Sequence, residues 1–411
     1  KAEGRRQSRM QKAEGRRQRT ARATIRPTRL PSAFCLLPSG FCLPPSAFCL
    51  LLCALTVSAV IGLCSCALSA DRGNAPTQNA SPSRQDVASK AAARKSAATD
   101  PNKFAVVVAG VGGEEAYTKK FTAQATRLYE ALTAQLGFAA KNVFLLTETG
   151  GGPEDGARES DAAPSRRATA DEVRKAFASI KSAANADSLM LVVLIGHGSF
   201  DNQQAKFNLI GPDLAAKDYA QLIGSLPNKR VLFVNCASSS GEFIKPLSGE
   251  GRVVITATRS GSEQNATVFA DNFIAGLSDG AADADKNGRV SALEAFNYAT
   301  KLTAEWYKEK KRLATEHALI DDNADGAGHE EAASGDGTLA KVVYVDSKHV
   351  EEAAGDVELG RLIKERQRLE EEVEKLKARK SEMKPEAYDA ELERVLVELA
   401  TVNQQIKARQ K

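Results

Sequence analysis

Two nearly continuous apolar segments stand in the middle of the chain, at Leu189–Ile195 and Arg230–Asn235. Each has the length of a β-strand, and neither alternates regularly with polar residues. This pattern is typical of strands that are buried on both faces of a parallel sheet. Further segments of the same kind predict strands at Phe104–Ala109, Val143–Leu146 and Arg252–Ala257.

The segments between these strands have the periodicity of helices. Apolar residues at spacings of three and four predict helices over Glu114–Leu136 and Ala215–Ile223. Thr169 is predicted to begin another helix, because Glu172 follows it at capping-box spacing. Strands that alternate with helices predict an α/β domain with a mostly parallel sheet covered on both faces, which we place at residues 103–345.

Two connecting segments have patterns of their own. Thr147–Arg167 is rich in Gly and Asp and is predicted to be a surface loop. Lys206–Ile210 is predicted to form a short hairpin arm. Neither segment interrupts the alternation of strands and helices.

A reactive side chain follows each of the two long apolar segments. His197 and Gly198 come just after the first, and Cys236 comes just after the second. Because the carboxyl ends of parallel strands meet at one edge of a sheet, we expect the imidazole and the thiol at the same edge. Cys236 is then a candidate nucleophile and His197 its candidate general base. The alternative is that Cys236 is inert and buried, as most free cysteines are.

These residues resemble the legumain-like family of the legumain–caspase group of cysteine peptidases. The resemblance rests on three short stretches: His197-Gly198-Ser199, Cys236 with Ser240-Gly241, and Thr256-Ala257-Thr258. It implies a caspase-like three-layer fold and hydrolysis of a peptide or protein substrate through an acyl-enzyme. It further implies that Cys236 attacks the carbonyl, that His197 transfers the proton, and that the N–H groups of Gly198 and Cys236 stabilise the oxyanion. Helix-terminal N–H groups after Cys236 are expected to lower its pKa.

Three departures from the family pattern leave other functions open. Asn235 stands where the family has Ala, and Ser240-Gly241 follows Cys236 at a longer spacing. Tyr117-Thr118-Lys119-Lys120 replaces an Arg-His pair that reads the substrate in legumains, so no residue specificity is carried over. The alternatives are a catalytically inactive binding or scaffold protein of the same fold, and a transpeptidase that resolves the acyl-enzyme with an amine.

The segment 283–294 matches the twelve-residue EF-hand calcium loop. Oxygen donors stand at positions one, three, five, nine and twelve, Gly288 is at position six, and position seven contributes its carbonyl. The candidate ligands are Asp283, Asp285, Asn287, Arg289, Ser291 and Glu294. We expect a structural Ca²⁺ here and a helix over Ala292–Lys310, the alternative being an acidic turn that caps this helix.

A second acidic segment, Asp321–Gly326, resembles the start of another such loop. Its position twelve is Ala332, so a solvated turn is predicted. The three remaining histidines show no metal-ligand spacing and are predicted at the surface: His317, His329 and His349.

Heptad-like spacing of apolar residues marks the C-terminal part of the chain. Residues 354–411 are predicted to form a helical hairpin or short coiled coil that breaks at Pro385, with Arg366 interrupting the apolar stripe. About two heptads per arm are marginal alone. The hairpin is therefore expected to pack on itself, on the α/β domain, or on a partner, self-association included.

The N-terminal part differs in charge and composition from the rest. The chain carries a net charge of +4, yet residues 1–33 hold eleven Lys and Arg against two Glu. The remainder is acidic, which argues against nucleic-acid binding. Residues 1–70 are a basic repeat followed by an apolar run with six of the seven cysteines, which predicts a signal peptide or membrane anchor and hence export to the periplasm, cell exterior or membrane. Residues 71–102 are predicted to be a flexible linker.

Overall fold

The computed structural model describes residues 97–150, 165–228, 230–331, 335–353 and 355–410. The basic repeat, the signal-like run with its cysteines, most of the predicted linker and residues 151–164 of the predicted surface loop lie outside the described residues. Within the described ranges, no helix combines the length and apolar character needed to cross a bilayer.

A seven-stranded sheet forms the centre of the fold. The strands of the described chain are β1 (Lys103–Ala109), β2 (Val143–Thr147), β3 (Ser165–Arg167), β4 (Leu189–Ile195), β5 (Gly198–Phe200), β6 (Ala205–Phe207), β7 (Leu214–Ala215), β8 (Arg230–Asn235), β9 (Arg252–Thr256) and β10 (Leu319–Asp321). The main sheet has the order β10–β9–β8–β4–β1–β2–β3, and only β10 runs antiparallel to its neighbour. Strands β5, β6 and β7 form a small antiparallel sheet beside it.

Helices cover both faces of the main sheet. Those described are α1 (Glu115–Ala134), α2 (Ala170–Ala183), α3 (Ala216–Gly224), α4 (Ile244–Leu247), α5 (Phe269–Asp279), α6 (Ala292–Glu309), α7 (Lys348–Ala353), α8 (Val357–Ala378) and α9 (Pro385–Arg409). Thr169 caps α2 as predicted, because its hydroxyl accepts the N–H of Glu172 at 3.2 Å, although the Thr169 N–H bonds Arg167 and the capping box is not completed. Pro385 begins α9, a position where its missing N–H costs no hydrogen bond.

Alternation along the strands produces two hydrophobic cores. On β4, Leu191 and Val193 face one core, while Val192 and Leu194 face the other. Helices α1, α5 and α6 close the first core, and α2, α3 and α4 close the second. The predicted three-layer α/β fold with a mostly parallel sheet is therefore confirmed.

The order of the strands creates a switch point between β1 and β4. The chain moves outward from β1 to β2, whereas β4 returns to the other side of β1 and leads on to β8 and β9. Sites in open α/β sheets lie at the carboxyl ends of the strands that flank such a point. The loop after β4, which holds His197, starts at this position.

The C-terminal helices form the predicted hairpin, which packs on the α/β body. Leu369 and Val373 of α8 contact Val395 of α9 in a small core separate from those of the body. Helix α8 faces the body through an ion pair between Glu371 and Arg230. Helix α8 therefore packs on α9 through its apolar face and on the body through a face that carries Glu371.

The sequence prediction missed several elements, among them α5, β3 and β10, and misassigned one segment. Phe269, Phe273 and Leu277 recur every four residues, a signal that would have predicted α5. Strand β3 lies inside the segment predicted to be a loop, so that prediction is wrong for residues 165–167. Strands β3 and β10 have three residues each, which is too short for any periodicity to show.

Candidate catalytic site and acidic loops

His197 and Cys236 lie at the same edge and on the same face of the sheet. Leu194 of β4 is paired with Asn235 of β8, so Cys236 is level with Ile195, and His197 stands two residues beyond it on the neighbouring strand. Alternation from Val193 and Ile195 places His197 on the face of the first core, which also contains Cys236. The predicted convergence of the two side chains at one sheet edge therefore holds at the level of topology.

The imidazole of His197 packs against two aromatic rings of α1. The ring centroids of Tyr117 and Phe121 lie 5.0 and 5.1 Å from that of His197, both in edge-on geometry. Burial lowers the pKa of His197, a hydrogen bond to the Gly112 backbone opposes that shift, and the Lys120 ammonium adds to it. His197 is consequently neutral near pH 7, as a general base must be.

The thiol of Cys236 is enclosed in the first core. Cys236 is 1% exposed and packs with Val234 and other apolar residues. Its backbone is held on both sides, because its N–H donates to Leu194 O at 2.8 Å and its carbonyl accepts from Thr267 Oγ1 at 2.5 Å. Among the described residues, no hydrogen bond joins the thiol to His197 or to any other group.

Helices α1 and α5 meet above this thiol. Lys120 of α1 donates to the Thr267 carbonyl at 3.1 Å, and Gln124 and Arg127 bond the Asp271 carboxylate of α5 at 2.8 and 3.0 Å. These bonds fix the two helices together over the sheet edge. With Cys236 only 1% exposed, a substrate carbonyl cannot reach the thiol in this arrangement.

Electrostatics around Cys236 oppose a thiolate. Burial raises the pKa of the Cys236 thiol, and the carboxylates of Glu316 and Asp271 raise it further. Glu316 is itself bound at the start of α5, where it accepts the N–H groups of Val268 and Phe269 at 2.9 and 3.2 Å. The pKa of Cys236 is therefore raised, whereas helix-terminal N–H groups after Cys236 were expected to lower it.

Gly198 and Ser238 join the two candidate loops. The Gly198 N–H donates to Ser238 Oγ at 3.2 Å, and that hydroxyl lies 3.3 Å from the Gly198 carbonyl oxygen. A Cβ at Gly198 would lie 2.4 Å from the Ser238 carbonyl oxygen, so only glycine fits this contact. Both N–H groups proposed for the oxyanion hole, those of Gly198 and Cys236, have partners within the protein.

The serine-rich segment after Cys236 forms a buried junction with the loop after β9. Ser240 Oγ lies 3.1 Å from Thr258 Oγ1, which also accepts the Gly241 N–H at 3.0 Å. Ser239 Oγ donates to the Gly261 carbonyl at 3.0 Å. The stretch that resembles a substrate-pocket wall in legumains is therefore buried here, and its Thr258 hydroxyl bonds the serine-rich segment.

Asn235 has a local structural role. Its side-chain oxygen accepts the Ala237 N–H at 3.0 Å, which stabilises the sharp turn at the end of β8. An alanine at this position could not make that bond. The departure from the family pattern thus supports the turn that carries Cys236 into the core.

The predicted EF-hand segment gathers three carboxylates. One oxygen from each of Asp283, Asp285 and Glu294 lies within 4.8 Å of the others. Ser291 caps α6 and exchanges hydrogen bonds with Glu294 in a capping box. The calcium loop and the helix-capping turn, the two alternatives for this segment, therefore both use Ser291 and Glu294. The Arg289 side chain pairs with Asp346 at 3.0 Å, which leaves only its carbonyl for the loop.

Two predictions about polar surface residues are wrong. Asp321 and Asp322 are 1% and 7% exposed, so the second acidic segment is not a solvated turn throughout. The three histidines predicted at the surface are half-buried and each is paired with a carboxylate: His317 with Glu263, His329 with Asp336, and His349 with Asp100.

A cleft of about 1600 Å³ lies away from His197 and Cys236. It is lined by residues at the amino ends of the strands, such as Lys103 and Arg230, and by Arg368 and Glu371 of α8. Its walls carry charges of both signs. It is the space between the body and the hairpin, not an opening to the candidate catalytic pair.

Neither a protein-family model nor a curated protein matches the sequence. Among solved structures, the fold is similar to the crystal structure of protein GSU0716 from Geobacter sulfurreducens. That similarity has a TM-score of 0.34 and 12% sequence identity, and it covers 53% of this chain and 92% of that chain. It is too weak to support a statement about function.

Proposed function

We propose that this chain is a non-catalytic protein-binding module, in which a peptidase-like α/β body carries a helical hairpin for association. The observation that carries the proposal is the enclosure of Cys236, which is 1% exposed and lies under α1 and α5. A nucleophile must reach its substrate, and a side chain that is 1% exposed cannot do so in this conformation.

The chemistry of the thiol supports the same proposal. A cysteine nucleophile acts as the thiolate, which requires nearby positive charge or a free helix N-terminus. Around Cys236 burial disfavours the anion, and the carboxylates of Glu316 and Asp271 disfavour it further. The neutral thiol behaves as a small apolar side chain in such a site.

The outer face of the hairpin supplies a surface for association. Leu396 and Val397 of α9 are 45% and 59% exposed and lie next to each other midway along the helix. Glu386 and Lys407, also exposed, lie on either side of this apolar pair. If α9 of a second copy packs antiparallel to this helix, with Leu396 and Val397 of both copies at the centre, Glu386 of each copy lies opposite Lys407 of the other. The two equivalent ion pairs are those that a twofold dimer requires.

Sedimentation equilibrium of the full chain tests this association. The wild-type protein is expected to form dimers. Val397→Glu is expected to lower the association constant at least tenfold, because the new glutamate and Glu393 of each copy then place four carboxylates near the centre of the interface. The matched control is Leu313→Glu, since Leu313 is 89% exposed on the body. A monomeric wild-type protein, or equal loss in both variants, contradicts the dimer.

Residue-resolved alkylation tests the non-catalytic assignment. The native chain is treated with a peptidyl electrophile or with iodoacetamide, and the tryptic peptide 231–252, which contains Cys236, is quantified by mass spectrometry. This peptide is expected to stay unmodified in the native protein and to be modified fully in urea. Rapid labelling of native Cys236 by the peptidyl electrophile, lost in His197→Ala, would reject the proposal.

A cysteine peptidase is the second candidate function, and one observation favours it. His197 and Cys236 follow adjacent parallel strands and share a face at the switch point of the sheet. If α1 and α5 separate on substrate binding, hydrolysis or transpeptidation becomes available to the pair. Digestion of a peptide library with wild-type protein and Cys236→Ala separates these outcomes, because only Cys236-dependent products support catalysis and their masses distinguish hydrolysis from amine transfer.

We also propose that the segment 283–294 binds a structural Ca²⁺. The support is the spacing of its six candidate ligands together with the approach of Asp283, Asp285 and Glu294 to within 4.8 Å. A divalent cation would offset the repulsion among these carboxylates. Calcium is expected to raise the melting temperature of the full chain, and Glu294→Gln to reduce that increase. An unchanged calcium response in Glu294→Gln contradicts this site.

A further inference from the structure

A closed loop follows the last strand of the sheet. Ile320 and His329 exchange two backbone hydrogen bonds, each of 2.9 Å, and the chain between them turns back on itself. Asp321 ends β10 and begins this turn, and Gly326 lies against Lys245 and Ser248 at the end of α4. We refer to residues 321–327 as the second acidic loop.

The backbone of the second acidic loop repeats that of the EF-hand segment. In both, an acidic residue opens the loop and glycine stands at position six. The backbone is left-handed at positions four and six of each loop, with φ of 68° at Ala324 and 75° at Gly326, against 58° at Lys286 and 78° at Gly288. Two separate segments therefore adopt one unusual local conformation.

The side-chain hydrogen bonds of the two loops also correspond. Asn323 Oδ1 accepts the Asp325 N–H at 2.9 Å, and Asp325 Oδ1 accepts the Ala327 N–H at 2.7 Å. In the EF-hand segment, Asp285 Oδ1 accepts the Asn287 N–H at 3.0 Å in the same way. The side chains at positions three and five, which are ligand positions in an EF-hand, thus make the same kind of backbone contact in both loops.

The two loops differ at position one. The carboxylate of Asp283 accepts the N–H groups of Asn287 and Gly288 at 3.1 and 2.8 Å. Among the described residues, neither buried carboxylate oxygen of Asp321 makes a hydrogen bond of good geometry, and neither does the hydroxyl of Ser248 that lies beside it. An enclosed carboxylate without a partner is costly, so the site requires either a proton or a cation.

The charges that face Asp321 favour a cation. Burial raises the pKa of Asp321, the Ser248 hydroxyl and the Ala324 backbone oppose that shift, and the carboxylates of Asp336 and Asp325 add to it. Asp336 is bound by the Asp322 N–H and by His329, whereas no Lys or Arg within the described part of the chain pairs with Asp321. The buried carboxylate of Asp321 thus has other anions beside it and is paired with no Lys or Arg of the described residues.

We propose that the second acidic loop is a Ca²⁺ site independent of the segment 283–294. Its ligands are side-chain oxygens of Asp321, Asn323 and Asp325 and the carbonyl of Ala327, with the Ser248 hydroxyl beside them. A set made of carboxylate, amide, carbonyl and hydroxyl oxygens selects a hard cation, and its irregular geometry suits Ca²⁺ better than Mg²⁺. Because position twelve is Ala332, this site has one carboxylate fewer than the segment 283–294.

Calorimetric titration of the full chain with Ca²⁺ tests the proposal. Asp321→Asn is expected to lose one equivalent of bound Ca²⁺ relative to wild type, and Asp283→Asn to lose a different equivalent if the EF-hand segment also binds. The two sites are therefore scored separately, and failure of one leaves the other measurable. Retention of every wild-type equivalent in Asp321→Asn overturns the proposal.

Thermal unfolding gives a second readout that a purely structural Asp321 would not produce. In chelator, Asp321→Asn is expected to melt above wild type, because it removes an uncompensated buried charge. In calcium the order is expected to reverse, because only wild type gains binding energy at this loop. Glu331→Gln, which changes an exposed carboxylate nearby, is the matched control and should follow wild type in both conditions. Higher melting of Asp321→Asn in both conditions overturns the proposal.

Discussion

Replacement of Cys236 by serine or alanine measures whether its site is apolar or catalytic. The side chain is 1% exposed in a core with Val234, and its sulfur makes no hydrogen bond among the described residues. Alanine removes a group of about the size of a methyl, which costs about 1 kcal/mol of unfolding free energy. Serine keeps the volume more closely but buries a hydroxyl without a partner, which costs about 1–3 kcal/mol. Serine should therefore destabilise the fold at least as much as alanine.

Urea unfolding followed by the fluorescence of Trp306 provides the assay. Val234→Thr is the control, because it places a hydroxyl in the same core without changing volume. The order of stability is expected to be wild type, then Cys236→Ala, then Cys236→Ser, with Val234→Thr close to the serine variant. A serine variant as stable as wild type would refute the reasoning, since it would mean that polar or solvated surroundings receive the hydroxyl.

Three further predictions concern the pair of loops and the hairpin. Burial lowers the pKa of His197 below its ordinary 6.5, so the unfolded chain binds more protons than the folded chain and the free energy of unfolding falls as the pH drops through about 6.5. In urea titrations, His197→Gln should therefore lose less stability than wild type between about pH 7.5 and pH 5. Gly241→Ala would place a Cβ 2.3 Å from the backbone of Arg259 and should cost about 1–3 kcal/mol in the same assay, whereas Gly224→Ala, with nothing nearer than 3.9 Å, should cost less than half as much. Glu371→Gln removes the ion pair between α8 and the body, so hydrogen exchange should accelerate in α8 while the strands stay protected; equal acceleration in β4 would contradict this.

Much of the fold followed from the sequence because local pattern and tertiary environment agree there. The continuous apolar run of β4 is buried on both faces, and Thr169 caps its helix where the spacing of Glu172 indicated. The hairpin was predictable for the same reason, since its apolar stripe is its packing surface. Elements of three residues carry no periodicity, and β3 and β10 exist only because a neighbouring strand offers them hydrogen bonds.

The sequence by itself determined the three-layer α/β fold, the hairpin, and the topology that brings His197 and Cys236 to one edge of one sheet. Only the tertiary structure decided what that proximity means. Accessibility depends on what lies above the edge, and α1 and α5 are joined there by bonds between residues that are distant in sequence, such as Gln124 and Asp271. The same holds for Asp321, whose spacing indicated an exposed turn but whose burial results from packing against the end of α4. Burial and charge environment depend on neighbours from the whole chain, and together they set the pKa and the accessibility of a side chain. The local sequence identifies the residue but determines neither property.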